Sequence, residues 1–420
     1  MRALYRARVS GTAPVESDHL DAIEFVLALA KALHRYGTPA HRLEEALMVC
    51  CARLGLMAEV FSTPTTIIMS FGEPAELRTR MMRVEGGELD MGKLALVDKL
   101  ADAVASHAIT PSDGVDRLAE IIAARPWFGH GLSTLMHGVT AGALAVFFGG
   151  GLEDVAVTAA IGLSLGLLAQ YAKRSTDQAR VFELVGAAFV AFSAGVMSAM
   201  WHAINPSVVT VAALIILLPG NSLTVAMTEL ATRNLISGTA RLMSAVIVLM
   251  ELVVGVALGE QLASALVDVH QAIPVALPEW AQWVALVASS VGVSIVVQAQ
   301  PTAFGWILAA CVTGYVGSRL GTEWLSGTSY AQLGVMVGAF ALGVLSNVYA
   351  RLLQRPAQIV QVPAVLTLVP GAMGLRGMAS LLDHDTLTGV ETVFAMFVVA
   401  TGIVAGLLIA NAVVSPRRSL

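Results

Sequence analysis

Two short stretches decide the fold of this chain: residues 213–220 read ALIILLPG and residues 364–371 read AVLTLVPG. Each is an apolar run that ends abruptly at Pro-Gly, and Pro370 follows Pro219 by 151 residues. The same shift superimposes three further glycine pairs: Gly166 with Gly317, Gly238 with Gly389, and Gly255 with Gly406. Few other residues are identical, so the repeat is mainly one of hydropathy. It predicts two structurally similar halves.

The charges are distributed unevenly along the chain. Of 420 residues, 56% are hydrophobic and 13% are charged, whereas a soluble domain carries about 25% charged residues. Residues 1–130 hold 14 of the 25 Lys and Arg and 17 of the 30 Asp and Glu. The sequence therefore predicts a soluble domain at 1–130, followed by a part that lies mostly in lipid.

The apolar segments after residue 130 predict a polytopic α-helical membrane protein with about ten transmembrane helices. We place spans near 132–150, 154–171, 182–201, 206–219, 240–259, 281–298, 303–319, 332–350, 357–370 and 391–413. They form two repeats of five, at 131–270 and 271–420. Because five is odd, the second repeat enters the membrane from the opposite side, which predicts an inverted repeat.

The basic residues of the predicted loops indicate the orientation. With the N-terminal domain in the cytoplasm, the inner segments carry nine Lys or Arg: Lys173, Arg174, Arg180, Arg233, Arg241, Arg351, Arg355, Arg417 and Arg418. The outer segments carry two, Arg319 and Arg376. Cytoplasmic loops of membrane proteins are enriched in these residues, so we expect both termini to be cytoplasmic.

The N-terminal domain has the pattern of a small α+β domain of order ααβββαα. Helices are predicted over 18–36, from Thr38-Pro39 to near Gly55, over 91–107 and over 110–124, with strands at 57–61, 65–71 and 77–84. Gly37 is expected to end the first helix, and Thr38 to cap the second with Pro39 as its first residue.

No motif in this chain predicts an enzyme. His34, His41, Cys50, Cys51 and Asp90 are the residues of the N-terminal domain with plausible chemistry, and they show no nucleophile, metal or phosphate-binding spacing. We therefore expect no catalytic residues, cofactor or metal, and assign the domain a regulatory or gating role. No basic stripe indicates nucleic-acid binding. The expected partners are a small solute, protons and the lipid bilayer, and an oligomer is compatible with this reading.

The fourth and ninth spans predict the substrate site. Residues 206–218 and 357–369 are 13-residue segments, about 20 Å long as helices against an apolar membrane core of roughly 30 Å. Helices that break inside the membrane leave unpaired backbone groups that can bind a polar solute. We therefore predict a central site around Pro219 and Gly220 in one half, and around Pro370 and Gly371 in the other.

The residues after the first break suit a small polar substrate. Asn221, Ser222 and Thr224, followed by Thr228, supply neutral hydrogen-bonding groups. Alternatively, Asn221 or Ser222 simply caps the next helix. Glu229 is a candidate acceptor for a substrate ammonium group, or else an interfacial charge that pairs with Arg233 or Arg241. The secondary candidates Asn347 and His137 are alternatively satisfied polar groups of the core.

Glu251 is the candidate for proton coupling. It lies midway along the fifth predicted span, with no Lys or Arg within nine residues. A lone carboxylate at that depth is costly and points to function by default. The alternative is a protonated side chain that hydrogen-bonds to a neighbouring helix.

Several stretches together resemble the threonine/serine exporter family. They are 37–44 (GTPAHRLE), 53–55 (RLG), 83–94, 148–154 (FGGGLED), 218–220 (LPG), 343–346 (GVLS), 355–356 (RP) and 368–371 (LVPG). Their order along one chain carries the resemblance, which covers nearly all of it. In that family the two halves also occur as separate partner chains.

This resemblance implies a bacterial inner-membrane protein with a cytoplasmic N-terminal domain, ten spans and export driven by the proton motive force. Threonine and serine are the type substrates, and relatives with this architecture are linked to dicarboxylates such as succinate. The sparse positive charge of the membrane part favours the amino acid. A dicarboxylate exporter, a passive channel, and a membrane enzyme or sensor remain the alternatives.

Overall fold

The computed structural model describes residues 14–73, 77–87, 89–328, 330–368, 375, 377 and 386–416. The N-terminal part contains two helices, three strands and two helices in the predicted order. Their bounds are α1 Pro14–Arg35, α2 Ala40–Arg53, β1 Ala58–Ser62, β2 Thr66–Phe71, β3 Arg78–Arg83, α3 Met91–Ala105 and α4 Pro111–Ala123.

The boundary between α1 and α2 was only partly predictable. Gly37 adopts a left-handed φ of +85°, and the Thr38 N–H donates to the Leu33 carbonyl at 3.1 Å, so the predicted helix end is confirmed. The predicted Thr38 cap is wrong. Pro39 occupies the N-cap position and no side chain of the N-terminal part caps α2. The reason is that a residue 189 positions away binds the Ala40 N–H, as described below.

The three strands form an antiparallel sheet of order β1-β2-β3. In β2, alternate residues Ile67, Met69 and Phe71 are buried, as expected for a strand with one face on the core. Strand β3 lies at the edge of the sheet and is mostly exposed. Its arginines, Arg78, Arg80 and Arg83, make that edge a poor template for pairing with another chain.

The membrane part is helical. Its helices are α5 His130–Phe147, α6 Leu152–Ala172, α7 Thr176–Arg180, α8 Phe182–Met200, α9 Pro206–Ala213, α10 Gly220–Ala231, α11 Leu235–Leu266, α12 Glu279–Val296, α13 Phe304–Trp324, α14 Val335–Leu353, α15 Gln358–Leu368 and α16 Thr386–Val413. Seven of the described helices are long and apolar enough to cross a membrane: α6, α8, α11, α12, α13, α14 and α16. The predicted first, fourth and ninth spans coincide with α5, α9 and α15, which are not among the seven.

Equivalent helices make equivalent contacts in the two predicted halves. Helix α11 packs along α8 as α16 packs along α14, and short α9 contacts α5, α6 and α8 as short α15 contacts α12, α13 and α14. One pair of glycines related by 151 residues, Gly255 and Gly406, lies at matching contacts. A Cβ on Gly255 would lie 2.4 Å from the Leu184 carbonyl oxygen, and one on Gly406 would lie 2.5 Å from that of Met336.

The N-terminal part is packed onto one end of the membrane helices. The Met91 and Gly92 N–H groups donate to the carbonyls of Val297 and Gln298 at 2.9 and 3.0 Å. The Gln298 side chain accepts from the Phe128 N–H at 2.9 Å and donates to the Phe128 carbonyl at 3.3 Å. Residue 128 precedes α5 and residue 298 follows α12, so the first helices of the two halves run antiparallel where they pack together.

Candidate functional site

A small cavity lies at the seam between the N-terminal part and the membrane helices. Its volume is about 110 Å³, well below the roughly 300–1,000 Å³ of pockets that take drug-sized ligands. We call it the interface cavity. Helices α10, α15 and α16 form its membrane side, and the segment from Gly37 to Ala46, together with α3, forms the other side. Its size suits a small metabolite.

The membrane side presents neutral polar groups from both predicted halves. Helix α10 contributes Asn221, Thr224 and Thr228, α15 contributes Gln358 and Gln361, and α16 contributes Asn411. The Thr224 hydroxyl donates to the Gly220 carbonyl at 3.0 Å, and the Thr228 hydroxyl to the Thr224 carbonyl at 2.8 Å. Since each hydroxyl proton is used within the helix, the lone pairs of the oxygen remain to accept a hydrogen bond from a solute.

The N-terminal side contributes polar atoms that lack protein partners. Thr38, His41, Arg42 and Asp98 line this side of the cavity. The Thr38 Oγ1 and His41 Nδ1 atoms are buried, and no residue in the described part of the chain hydrogen-bonds to either. Buried polar atoms nearly always have a partner. Water or a bound solute would satisfy both atoms.

Glu229, in α10, binds the N-terminal part next to the cavity. Its fully buried carboxylate accepts from the Ala40 N–H at 2.9 Å and from the Ser237 hydroxyl at 3.0 Å. The Arg241 guanidinium donates to both oxygens, at 3.1 and 3.3 Å. The carboxylate therefore caps α2 from outside that helix, and the predicted pairing with Arg241 is present. Every donor on it belongs to the protein, so accepting a substrate ammonium would require these contacts to break.

Two buried imidazoles flank this contact. Burial, assisted by the neighbouring Arg42 cation, lowers the pKa of His41 to about 4. Burial also lowers the pKa of His34, again assisted by a cation, Arg241. Both effects have the same physical cause, because an apolar setting near a positive charge disfavours a second positive charge. Both histidines are therefore neutral near pH 7.

The other predicted substrate residues lie around the cavity or away from it. Pro219 and Gly220 begin α10, and Pro219 is the N-cap without a side-chain cap, so Asn221 and Ser222 lie within the first turn and the capping alternative is wrong. Ser222 does not line the cavity. Pro370 and Gly371 lie outside the described residues, so the second predicted break is not placed.

Asn347 and His137 have the settings of satisfied core groups. The Asn347 amide donates to the Asn411 side chain and to the Val414 carbonyl, both at 2.8 Å. Asn347 does not line the cavity, but it positions Asn411, which does. His137 Nδ1 lies 2.8 Å from the Ser133 carbonyl oxygen in its own helix. Both residues therefore fit the alternative interpretation, that of a polar group satisfied within the core.

Glu251 lies apart from the cavity, between α11 and α8. The carboxylates of Glu251 and Glu183 lie near enough to repel each other. Glu183 is in the first turn of α8 and directly precedes Leu184, whose carbonyl Gly255 approaches. The close packing of α8 and α11 therefore brings these two carboxylates near each other. The sequence reading did not anticipate Glu183, because nothing in its local pattern points to α11.

Sequence reasoning also missed Gln358, Gln361 and Asn411. A signal for the glutamines was present, since they are separated by one helical turn in an otherwise apolar segment, 358–368. No comparable pattern in the sequence indicates that residues of the N-terminal part line the cavity. Within the described ranges, no three His, Cys, Asp or Glu side chains are placed to hold a metal ion.

Seven described helices of spanning length, together with a small cavity that carries neutral polar side chains among apolar ones, are the features of a polytopic membrane protein that handles a small solute. Comparison with known protein families identifies the family within this class. Residues 24–263 match the family model described as a threonine/serine exporter, and residues 282–413 match a second one, described as Threonine/Serine exporter, ThrE. The chain belongs to the threonine/serine exporter family.

Three similar proteins come from fungi. An uncharacterized protein of Schizosaccharomyces pombe is 26% identical, over 96% of this chain and 57% of its own length. Pheromone-regulated membrane protein 10 of Eremothecium gossypii is 26% identical, over 95% of the chain and 57% of that protein. The Candida albicans protein of the same name is 26% identical over 87% and 34%. This chain thus spans between about a third and just over half of these relatives. No solved structure matches it.

Proposed function

We propose that this protein exports small hydrophilic amino acids of the threonine and serine type, and that proton entry drives the export. The observation that carries the proposal is the interface cavity. It is small, its lining includes neutral polar side chains of both halves, and two buried polar atoms at its edge have no hydrogen-bond partner among the described residues. Membership of the exporter family supports the same conclusion.

The chemistry of the cavity fits a zwitterion. The Thr224 and Thr228 oxygens, whose protons are used within α10, are acceptors for an ammonium group. The amides of Asn221, Gln358 and Gln361 can donate to a carboxylate. Thr38 and His41 are placed for the side-chain hydroxyl of the solute. A dicarboxylate requires two cationic partners, and the one arginine in this lining, Arg42, already pairs with Glu45 at 3.2 Å.

The proposed cycle is alternating access between two oppositely oriented halves. The antiparallel packing of α5 and α12 and the matching contacts of Gly255 and Gly406 support the inverted repeat. The excess of Lys and Arg on the side of the N-terminal part supports a cytoplasmic position for both termini. Glu251, with Glu183 beside it, is our candidate for the proton-binding group.

Transport in proteoliposomes tests the proposal. Purified full-length protein should move labelled threonine uphill when a pH gradient is imposed, and Glu251→Gln should leave only downhill exchange. Glu279→Gln, at a carboxylate in the first turn of α12 whose side chain is 83% exposed, serves as the control and should retain coupling. Movement of succinate without threonine would replace the substrate. Strictly downhill flux that Glu251→Gln does not change would favour a channel.

A further inference from the structure

A second cavity, larger than the first, lies among the membrane helices. Its volume is about 270 Å³, and we call it the inner cavity. Its wall includes the end of α5 with Phe147 and Phe148, then Tyr315 and Ser318 of α13, and the last residues of α15, Thr367 and Leu368; aliphatic side chains complete it. It therefore lies where the first helix of one predicted half meets helices of the other.

One face of α15 lines both cavities. Gln361 and Val365 face the interface cavity, and Leu368 faces the inner cavity. These positions are four and three residues apart, so they lie above one another on the same side of a helix. The rise from residue 365 to residue 368 is about 4.5 Å, at 1.5 Å per residue. On α15, the residues that line the two cavities are thus about one turn apart, and Val365 between them is only 2% exposed.

The inner cavity offers aromatic faces and hydroxyl oxygens. The Phe147 and Tyr315 rings meet edge to face with centroids 5.5 Å apart. The Thr367 hydroxyl donates to the Ala364 carbonyl at 2.7 Å, so its oxygen keeps lone pairs for an incoming donor. The Tyr315 hydroxyl donates to Gln282 at 2.6 Å and also meets the Arg319 side chain. Among its described lining residues none carries a charge.

This lining selects a chemical class of ligand. Aromatic faces attract an ammonium group, and the Thr367 hydroxyl oxygen accepts from it. A solute with two carboxylates would have to bury both of them here without a positive partner, which is costly. The single carboxylate of an amino acid can accept from the Ser318 hydroxyl, which has no hydrogen-bond partner among the described residues. The wall thus fits a small solute that carries an ammonium group and no net charge.

We propose that the inner cavity is a second binding site for the exported solute, and that the solute passes to it from the interface cavity along the face of α15. Val365 and Leu368 form the barrier between the two sites. This inference rests on the proposed function and deepens it, because it adds a second site and a route and requires the solute to carry an ammonium group.

Filling the inner cavity tests the route. In full-length Leu368→Trp, the indole occupies that cavity and leaves the interface cavity intact. We expect the initial rate of threonine counterflow in proteoliposomes to fall at least about tenfold. A factor of ten corresponds to the loss of one good hydrogen bond to a charged group. Equilibrium dialysis of the protein in detergent should still show threonine binding. Leu320→Trp, on α13 with a side chain 58% exposed, is the matched control and should transport normally.

If Leu368→Trp does not fold, a second variant tests the proposed binding site. Thr367→Val keeps the shape of the wall and removes the hydroxyl, so the KM for threonine should rise several-fold. Thr313→Val is its control, because Thr313 on α13 does not line the cavity and its hydroxyl likewise makes an exposed hydrogen bond one turn back, to the Ala309 carbonyl at 2.6 Å. If wild-type protein moves no threonine, the proposed function falls and the inference with it. If wild-type protein transports and both cavity variants match their controls, the inference alone is overturned.

Discussion

The Glu229 side chain connects the N-terminal part of the protein to the membrane helices. Its carboxylate is fully buried and binds a backbone N–H of α2 together with a hydroxyl and an arginine of α11. Removing one partner of a buried pair leaves the other charge uncompensated, which costs more than the pair itself contributes. The N-terminal part should therefore depend on this residue for its attachment.

Glu229→Gln should destabilise the folded protein by about 3 kcal/mol, because Arg241 loses its ionic partner while remaining partly buried. The fall in Tm of the full-length protein in detergent measures the effect. Glu323→Gln is the matched control, since the Glu323 side chain is 61% exposed beside Arg319 and such pairs contribute about 1 kcal/mol or less. Equal falls in Tm for the two variants would contradict the proposed role of Glu229 in attaching the N-terminal part.

His41 should make the protein acid-sensitive. Its pKa is about 4 in the folded protein and about 6.5 when unfolded. Between these values the unfolded chain binds more protons, so stability falls as the pH drops from 6.5 towards 4. At about 1.4 kcal/mol per pKa unit, the loss reaches about 3 kcal/mol. His41→Gln should flatten the dependence of Tm on pH between 7 and 5.

A control separates His41 from other histidines. His107 lies in the same part of the chain but is exposed. His107→Gln should therefore leave the pH dependence of Tm unchanged. The prediction fails if the two variants respond alike to acid.

Among the elements, the long helices α8 and α11 approach closely because glycine permits it. The Gly255 position leaves no room for a Cβ beside the Leu184 carbonyl. Gly259, one turn further on, is equally restricted, since its Cβ would lie 2.3 Å from the Ala188 carbonyl oxygen. A bulkier residue at either site must push the two helices apart.

Gly255→Ala should therefore destabilise the protein by about 1–3 kcal/mol, the usual cost of overpacking, although alanine favours helix by about 1 kcal/mol over glycine. Gly305→Ala in α13 is the control, because nothing lies within 4 Å of its Cβ position, and it should be neutral or stabilising. Thermal unfolding of both variants gives the comparison. A stabilised Gly255→Ala protein would refute the close approach.

Across the whole molecule, the N-terminal part and the membrane helices share one buried apolar cluster. It runs from Phe25 and Leu47 in the N-terminal part to Leu286, Ile307 and Val360 in the membrane helices. The predicted boundary at residue 130 is therefore a boundary of composition, and tertiary packing continues across it.

Gly92→Val should loosen this junction. A side chain there would lie 2.6 Å from the Trp127 ring and 2.7 Å from the Gln298 carbonyl oxygen, so α3 must move away from α12. We expect faster amide hydrogen exchange in α3 with little change in α11. Gly131→Val, whose Cβ position is open, is the control. Unchanged exchange in α3 would show that the junction tolerates the added bulk.

Much of this architecture was predictable from local pattern. The apolar segments located the membrane helices, Gly37 marked the end of α1, and Thr110 caps α4 by accepting from the Asp113 N–H at 3.2 Å. Asn221 and Thr224 were found from the break at Pro219, and both line the interface cavity. These features depend on neighbours in the chain, which is why sequence reasoning reaches them.

By itself, the sequence determined the class of protein, the helix positions and the internal period of 151 residues, because hydropathy and turn residues act over short distances. Only the tertiary structure decided that Glu229 binds Ala40, that Glu183 lies beside Glu251, and that the N-terminal part completes the cavity. The physical reason is that these partners are far apart in the chain. Their pairing follows from the packing of whole helices, which no local pattern records.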